Sequence, residues 1–274
     1  MLPAWLTDTV TTDLDRAVHY TLLWGLEGVE LRTVGGLSER VPFVNEARLK
    51  RRLAAAELPV CAIVPGVFEG SVSDRVAWLN DLAVLEETCT FCHRVGCPLV
   101  VVSAFAAEAV VDRSLVAEVL RRAGRTAARH RLQLAVLNEA GMAHPTGAAV
   151  AALLEAVDHP AVGAAWHPAA AWQSGEVPRA GLEALGRRVL LVRAADGRRE
   201  AGEWVPQPLG QGEIGWQEQL SLLRTAGFEG PVSLEVHTPP RPKTGLHDAA
   251  WLIQAWRSLE RSGHVEYPGR PSIG

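Results

Sequence analysis

Lysine is almost missing from this sequence. Of 27 basic residues only Lys50 and Lys243 are lysines, the rest are arginines, and 31 acidic residues leave a formal net charge of −4. That balance excludes a nucleic-acid binder held by a broad basic surface. No stretch approaches 18 uncharged apolar residues, which excludes a membrane-spanning helix. The start, MLPAWLTDTVTTDLDR, carries neither a basic segment leading into an apolar run nor an arginine-rich transit pattern, so a cytoplasmic protein is expected. No GxxxxGK[ST] string offers a P-loop, and no nucleophile elbow suggests a hydrolase. A Pro/Gly/Ser linker is also missing before Ser262. A single domain over residues 1–274, with 263–274 as an extended tail, is therefore expected. Cysteine is scarce, with four residues. Cys89-Thr90-Phe91-Cys92-His93 spells the haem-attachment pattern CxxCH but lies inside a long helical pattern without an export signal. Cys89 and Cys92 then read as small buried hydrophobes, and Cys61 and Cys97, beside strand candidates, as core.

What the chain does have is a regular alternation of short apolar runs and amphipathic stretches. Strands are predicted at 4–7, 28–32, 59–64, 98–103, 133–138, 162–166, 189–193 and 232–236. Helices are predicted at 13–24, 45–56, 72–95, 113–130, 146–157, 179–185, 215–225 and 246–261. Runs such as PLVVVS and RVLLVR suit parallel strands buried on both faces. Eight strand–helix units in 274 residues predict the α/β class and a single (β/α)8 TIM barrel, whose chemistry sits at the C-terminal strand ends.

Three strings sharpen this reading: Gly25-Leu26-Glu27-Gly28-Val29-Glu30-Leu31, Pro208-Leu209-Gly210-Gln211-Gly212-Glu213-Ile214-Gly215-Trp216, and Gly227 through His237 (GFEGPVSLEVH). In this order and spacing the chain resembles the xylose isomerase-like TIM barrels, which include sugar and sugar-phosphate isomerases and epimerases, hydroxypyruvate isomerase and, distantly, endonuclease IV. The resemblance implies a divalent metal at the barrel mouth, held by side chains ending strands 5 to 8. At those positions this chain has Leu137, His167, Arg193 and Glu235, so only the last keeps a family ligand. Alternation puts Glu139 on the same face as Leu137, nearer the mouth. His167 can ligate, but Arg193 has five donors, no acceptor and a permanent charge. No metal and no other cofactor are therefore expected.

The resemblance then implies a divergent sugar or sugar-phosphate isomerase or epimerase-like protein acting on a small polyhydroxy carbonyl compound or acid. Glu235 would take the proton alpha to the carbonyl, Glu139 or His167 would be the opposing acid/base, and Arg193 would stabilise the enediolate. Arg193 also reads as a salt bridge to Glu235 or Asp196, or as an anion clamp at the mouth. Glu30, His237, Asp196 and Trp172 are candidate substrate-binding residues. Trp204, Phe68 and Phe105 are aromatics that could cover a sugar ring. The competing reading is a non-catalytic barrel that binds a small anionic ligand or serves as a scaffold or subunit. Endonuclease activity would need a histidine-rich zinc cluster and basic loops that are not found. The expected partner is a sugar-like or anionic small molecule, with no nucleic acid and no membrane, and a homo-oligomer stays open.

Overall fold

The computed structural model describes residues 1–35 and 39–262, so the expected tail at 263–274 lies outside the described residues. The chain runs β1 (Leu2–Leu6), α1 (Leu14–Leu23), β2 (Gly28–Leu31), α2 (Glu46–Ala55), β3 (Val60–Ile63), α3 (Arg75–Val95), β4 (Leu99–Val102) and α4 (Arg113–Arg129). It continues with β5 (Gln133–Leu137), α5 (Gly147–Val157), β6 (Val162–Trp166), α6 (Pro168–Gln173), α7 (Pro178–Leu185), β7 (Val189–Ala194), β8 (Asp196–Glu200), β9 (Glu203–Gln207), α8 (Trp216–Thr225), β10 (Pro231–Leu234) and α9 (Arg241–Ser262). Eight parallel strands close in the order β1-β10-β7-β6-β5-β4-β3-β2, while β8 and β9 form a separate antiparallel hairpin. This is a single (β/α)8 TIM barrel. Among the described residues no helix is long and apolar enough to cross a membrane.

Two apolar layers follow from strand alternation. Ala4, Leu6, Leu99, Val101, Ala135, Leu137, Ala165 and Leu191 fill the barrel interior, whereas Val29, Leu31, Val100, Val136, Val192, Val232 and Leu234 face the helices. Three buried tryptophans stiffen the helix layer with satisfied indole N–H groups: Trp5 donates to Thr21 Oγ1 at 2.8 Å, Trp166 to Gln219 Oε1 at 3.0 Å and Trp216 to the Ala195 carbonyl at 3.0 Å. Helix starts are written locally. Asp13, Asn45, Asp74, Asp112 and Thr146 each accept from the N–H three residues on. All four cysteines are free and buried.

The largest differences from the sequence reading lie at three places. Helix α9 starts at Arg241 instead of 246, with Pro242 inside its first turn, where a missing N–H costs nothing. The short helix α6 and the hairpin of β8 and β9 were not predicted. Both belong to the mouth.

Candidate functional site at the barrel mouth

At the C-terminal strand ends the interior face changes from apolar to charged. Leu6 pairs in register with Glu30, and Ser233 with Arg193, so alternation carries Glu30, Arg193, Ser233 and Glu235 inward. Arg193 is 3% exposed and Glu30 fully buried, and the guanidinium Nη2 donates to Glu30 Oε1. Arg193 therefore neither joins Glu235 or Asp196 directly nor presents an open fork to the mouth. Its partner comes from the opposite part of the sequence. Burial works against the charge of Arg193, but Glu30, Glu235 and Glu139 more than offset this and hold the guanidinium protonated. Three buried polar atoms at this level keep no partner: Glu30 Oε2, Arg193 Nε and Ser233 Oγ.

Glu235 lies just past the end of β10 and remains about a tenth exposed. His167 Nε2 is 3.1 Å from its Oε2, and His237 Nε2 is 3.7 Å from its Oε1. Burial opposes ionisation of Glu235, but the Arg193 charge and the two imidazoles overcome it and hold the carboxyl well below its ordinary value. His167 is fixed from both sides. Its Nδ1 accepts from the Ala170 N–H at 3.4 Å, capping α6, which leaves Nε2–H as the donor to Glu235 in the neutral ring. Asn138, 1% exposed, clamps the backbone of the same residue: Nδ2 donates to the His167 carbonyl at 2.9 Å and Oδ1 accepts from its N–H at 2.7 Å. Glu139, half-buried, accepts from Ser103 Oγ at 3.3 Å. Asn138 and Ser103 were not among the candidate site residues read from the sequence. The signal was available, since both are polar residues ending apolar strands.

Several candidate substrate contacts take other roles. Glu30 is closed off beneath Arg193 and cannot touch a ligand from solvent. Asp196, 5% exposed, accepts from the backbone N–H groups of Gly210 at 2.9 Å, Gly212 at 3.1 Å and Ile214 at 3.4 Å, besides that of Gly197 at 2.8 Å. The string Gly210-Gln211-Gly212-Glu213-Ile214-Gly215 fits the GxGxxG spacing, but its donors are spent on this internal carboxylate instead of a pyrophosphate. A Cβ on Gly212 would lie 2.1 Å from Asp196 Oδ1, so glycine is required there. Trp172 has Arg199 over its ring at 4.9 Å and Trp204 tilted against it at 5.6 Å, so that ring face is not open to a sugar. Phe68 and Phe105 are buried against each other. His237, by contrast, is 42% exposed and borders the mouth. Among the described residues no group of three or more His, Cys, Asp or Glu side chains is disposed to hold a metal ion.

Comparison with known proteins agrees with this architecture. The family model for the xylose isomerase-like TIM barrel matches residues 19–255. Among solved structures, L-ribulose 3-epimerase superposes with a TM-score of 0.81 at 15% identity, covering 98% of this chain and 99% of that one. The 3-keto-D-glucoside 4-epimerase from E. coli gives 0.75 at 19% identity over 93% and 99%. A probable 3-DHS dehydratase from Bacillus anthracis gives 0.77 at 15% identity over 92% and 99%. At such identities the likeness shows the fold alone. No curated protein matches the sequence.

Proposed function

The chain belongs to the xylose isomerase-like TIM barrel family, and from that premise we propose that it is a divergent sugar isomerase or epimerase working on a small polyhydroxy carbonyl compound without a divalent metal. The observation that carries this reading is the buried Arg193–Glu30 pair beside Glu235. Leu137 offers no donor atom, both ring nitrogens of His167 are engaged, and Arg193 already interacts with Glu235 and Glu139. These residues do not fit a divalent ion, because a second cation would be set against the guanidinium. Three carboxylates surround that one guanidinium, which favours a neutral polyol over an anionic substrate at the floor of the mouth.

In this reading the reaction is a proton transfer alpha to a carbonyl. A carboxylate held as low as Glu235 is ionised at every working pH but is a weak base. Glu139, half-buried and hydrogen-bonded by Ser103, takes the proton instead. The C–H electron pair moves onto the carbonyl oxygen, and the charge of Arg193 offsets the negative charge that develops there. His167, aligned by Glu235 and Asn138, returns a proton to the carbon once it has itself gained one from solvent, passing from imidazolium to the neutral ring. The test is solvent deuterium incorporation at the alpha carbon, with chelator-treated protein and a panel of ketoses, aldoses and 2-hydroxy acids in D2O. Incorporation with at least one compound, lost in Glu139→Gln, supports the reading. Incorporation that appears only with added Mn²⁺ or Mg²⁺ contradicts it.

One observation favours a second reading. Arg193 is paired with Glu30 through one hydrogen bond, and His167 with Glu235 and Ala170, so the groups of the site partner one another. A non-catalytic barrel that binds a small ligand would look the same. Ligand-induced stabilisation without deuterium incorporation from any of the compounds would favour it.

A further inference from the structure

The segment around CxxCH plays no part at the mouth, and it lies at the opposite end of the barrel, where α3 turns into β4. Gly96 ends α3 with φ +72°, and the Cys97 N–H returns to the Cys92 carbonyl at 2.9 Å. This is the helix-ending motif in which the residue after the left-handed glycine packs against the residue four positions before that glycine. In most proteins that contact is made by two hydrophobes, but here both positions are cysteine. Cys92 shares a side-chain hydrogen bond with Cys97, whose Sγ in turn donates to the Leu99 carbonyl at 3.2 Å. Both residues are covered, at 0% and 2% exposure, and both border a surface cavity of about 440 Å³ together with Arg129 and Arg131.

We propose that Cys92 and Cys97 are a redox modification site, forming a reversible disulfide that locks the α3–β4 corner when a small anionic disulfide enters this cavity. One thiolate of the pair attacks a sulfur of the incoming disulfide and releases its first thiol. The second cysteine then displaces the other half. Two protein thiols lose two protons and two electrons, and one small disulfide is reduced to two thiols. The positive charge of Arg131 suits an anionic reagent such as oxidised glutathione. The neighbouring Cys97 thiol, and after it burial, push the Cys92 thiol well up. The reaction is therefore slow at neutral pH and speeds up about tenfold per pH unit while the thiol remains mostly protonated.

The experiment incubates the full chain with oxidised glutathione at several pH values and follows the intact mass and the tryptic map. The expected result is a loss of two hydrogens, reversed by dithiothreitol, with peptide 76–94 joined to peptide 95–113 through Cys92 and Cys97. Cys97→Ser should abolish the loss and Cys89→Ser should keep it. The map of the unaltered protein decides the matter even if a variant fails to fold. A bond through Cys89 or Cys61, a stable glutathione adduct on either cysteine, a crosslink between two copies, or no mass change while the fold persists would each overturn the proposal.

Discussion

Replacing Arg193 by methionine keeps most of the side-chain volume and removes the one buried arginine among the described residues. Glu30, fully buried, then faces no positive charge, and Glu235 loses the cation that keeps its carboxyl low. Breaking a buried ion pair from one side costs about 3 to 5 kcal/mol, because the stranded charge keeps its desolvation penalty. The upper end is expected here, since Arg193 also interacts with Glu235 and Glu139. For a domain of this size that amounts to a fall in Tm of roughly 6 to 20 °C. The double variant Glu30→Gln with Arg193→Met removes the stranded charge as well, and replacing both members of a buried pair is often neutral or stabilising. It should regain most of the loss. Urea unfolding of both variants, with m-values checked for two-state behaviour, measures this. If Arg193→Met costs less than about 1 kcal/mol, or the double variant is no better than the single, the pair is not the buried, mutually dependent unit described above.

Other consequences follow from the same geometry. Asp196→Ala should leave the N–H groups of Gly210, Gly212 and Ile214 unpaired, costing about 1 to 3 kcal/mol and raising amide exchange over 208–215. Retained protection in that loop would contradict the role given to Asp196. Because the folded Glu235 carboxyl is held below its ordinary value, its contribution to stability is complete above about pH 4.3 and is lost as pH falls through the folded value. The stability difference between the unaltered protein and Glu235→Gln should thus shrink on acidification below about pH 4. A difference that stays constant to pH 2 would mean that Glu235 is not held low.

The barrel was legible because each strand is a short apolar run and helices α1 to α5 each carry a side-chain cap, so local chemistry and the global fold agree. The hairpin of β8 and β9 was not. Its outward residues Arg198, Arg199 and Glu200 and the proline at 206 read as loop, and only the left-handed turn at Ala201 and Gly202 marks it. His167, Arg193 and Glu235 were picked out through the family resemblance, and Glu139 through strand alternation. The pairing of Arg193 with Glu30 could not, since closure of β2 against β1, and through β10 onto β7, brings together residues 163 positions apart. Asp196 looked like a ligand contact for a related reason. Its true partners are backbone N–H groups, which leave little trace in the side-chain sequence.

The central claim is that Arg193 stands in for a metal ion, and Mn²⁺ tests it most directly through thermal unfolding of the chelator-treated protein. A ligand at one hundred times its dissociation constant stabilises the native state by about 2.7 kcal/mol, which for this size corresponds to a rise in Tm of roughly 5 to 10 °C. The account predicts no such rise with Mn²⁺ for the unaltered protein, and a metal-dependent rise once Leu137→Glu, His167→Asp and Arg193→His are combined. A large, chelator-reversible rise in the unaltered protein that disappears in Glu235→Ala would contradict it and make Glu139, His167 and Glu235 metal ligands.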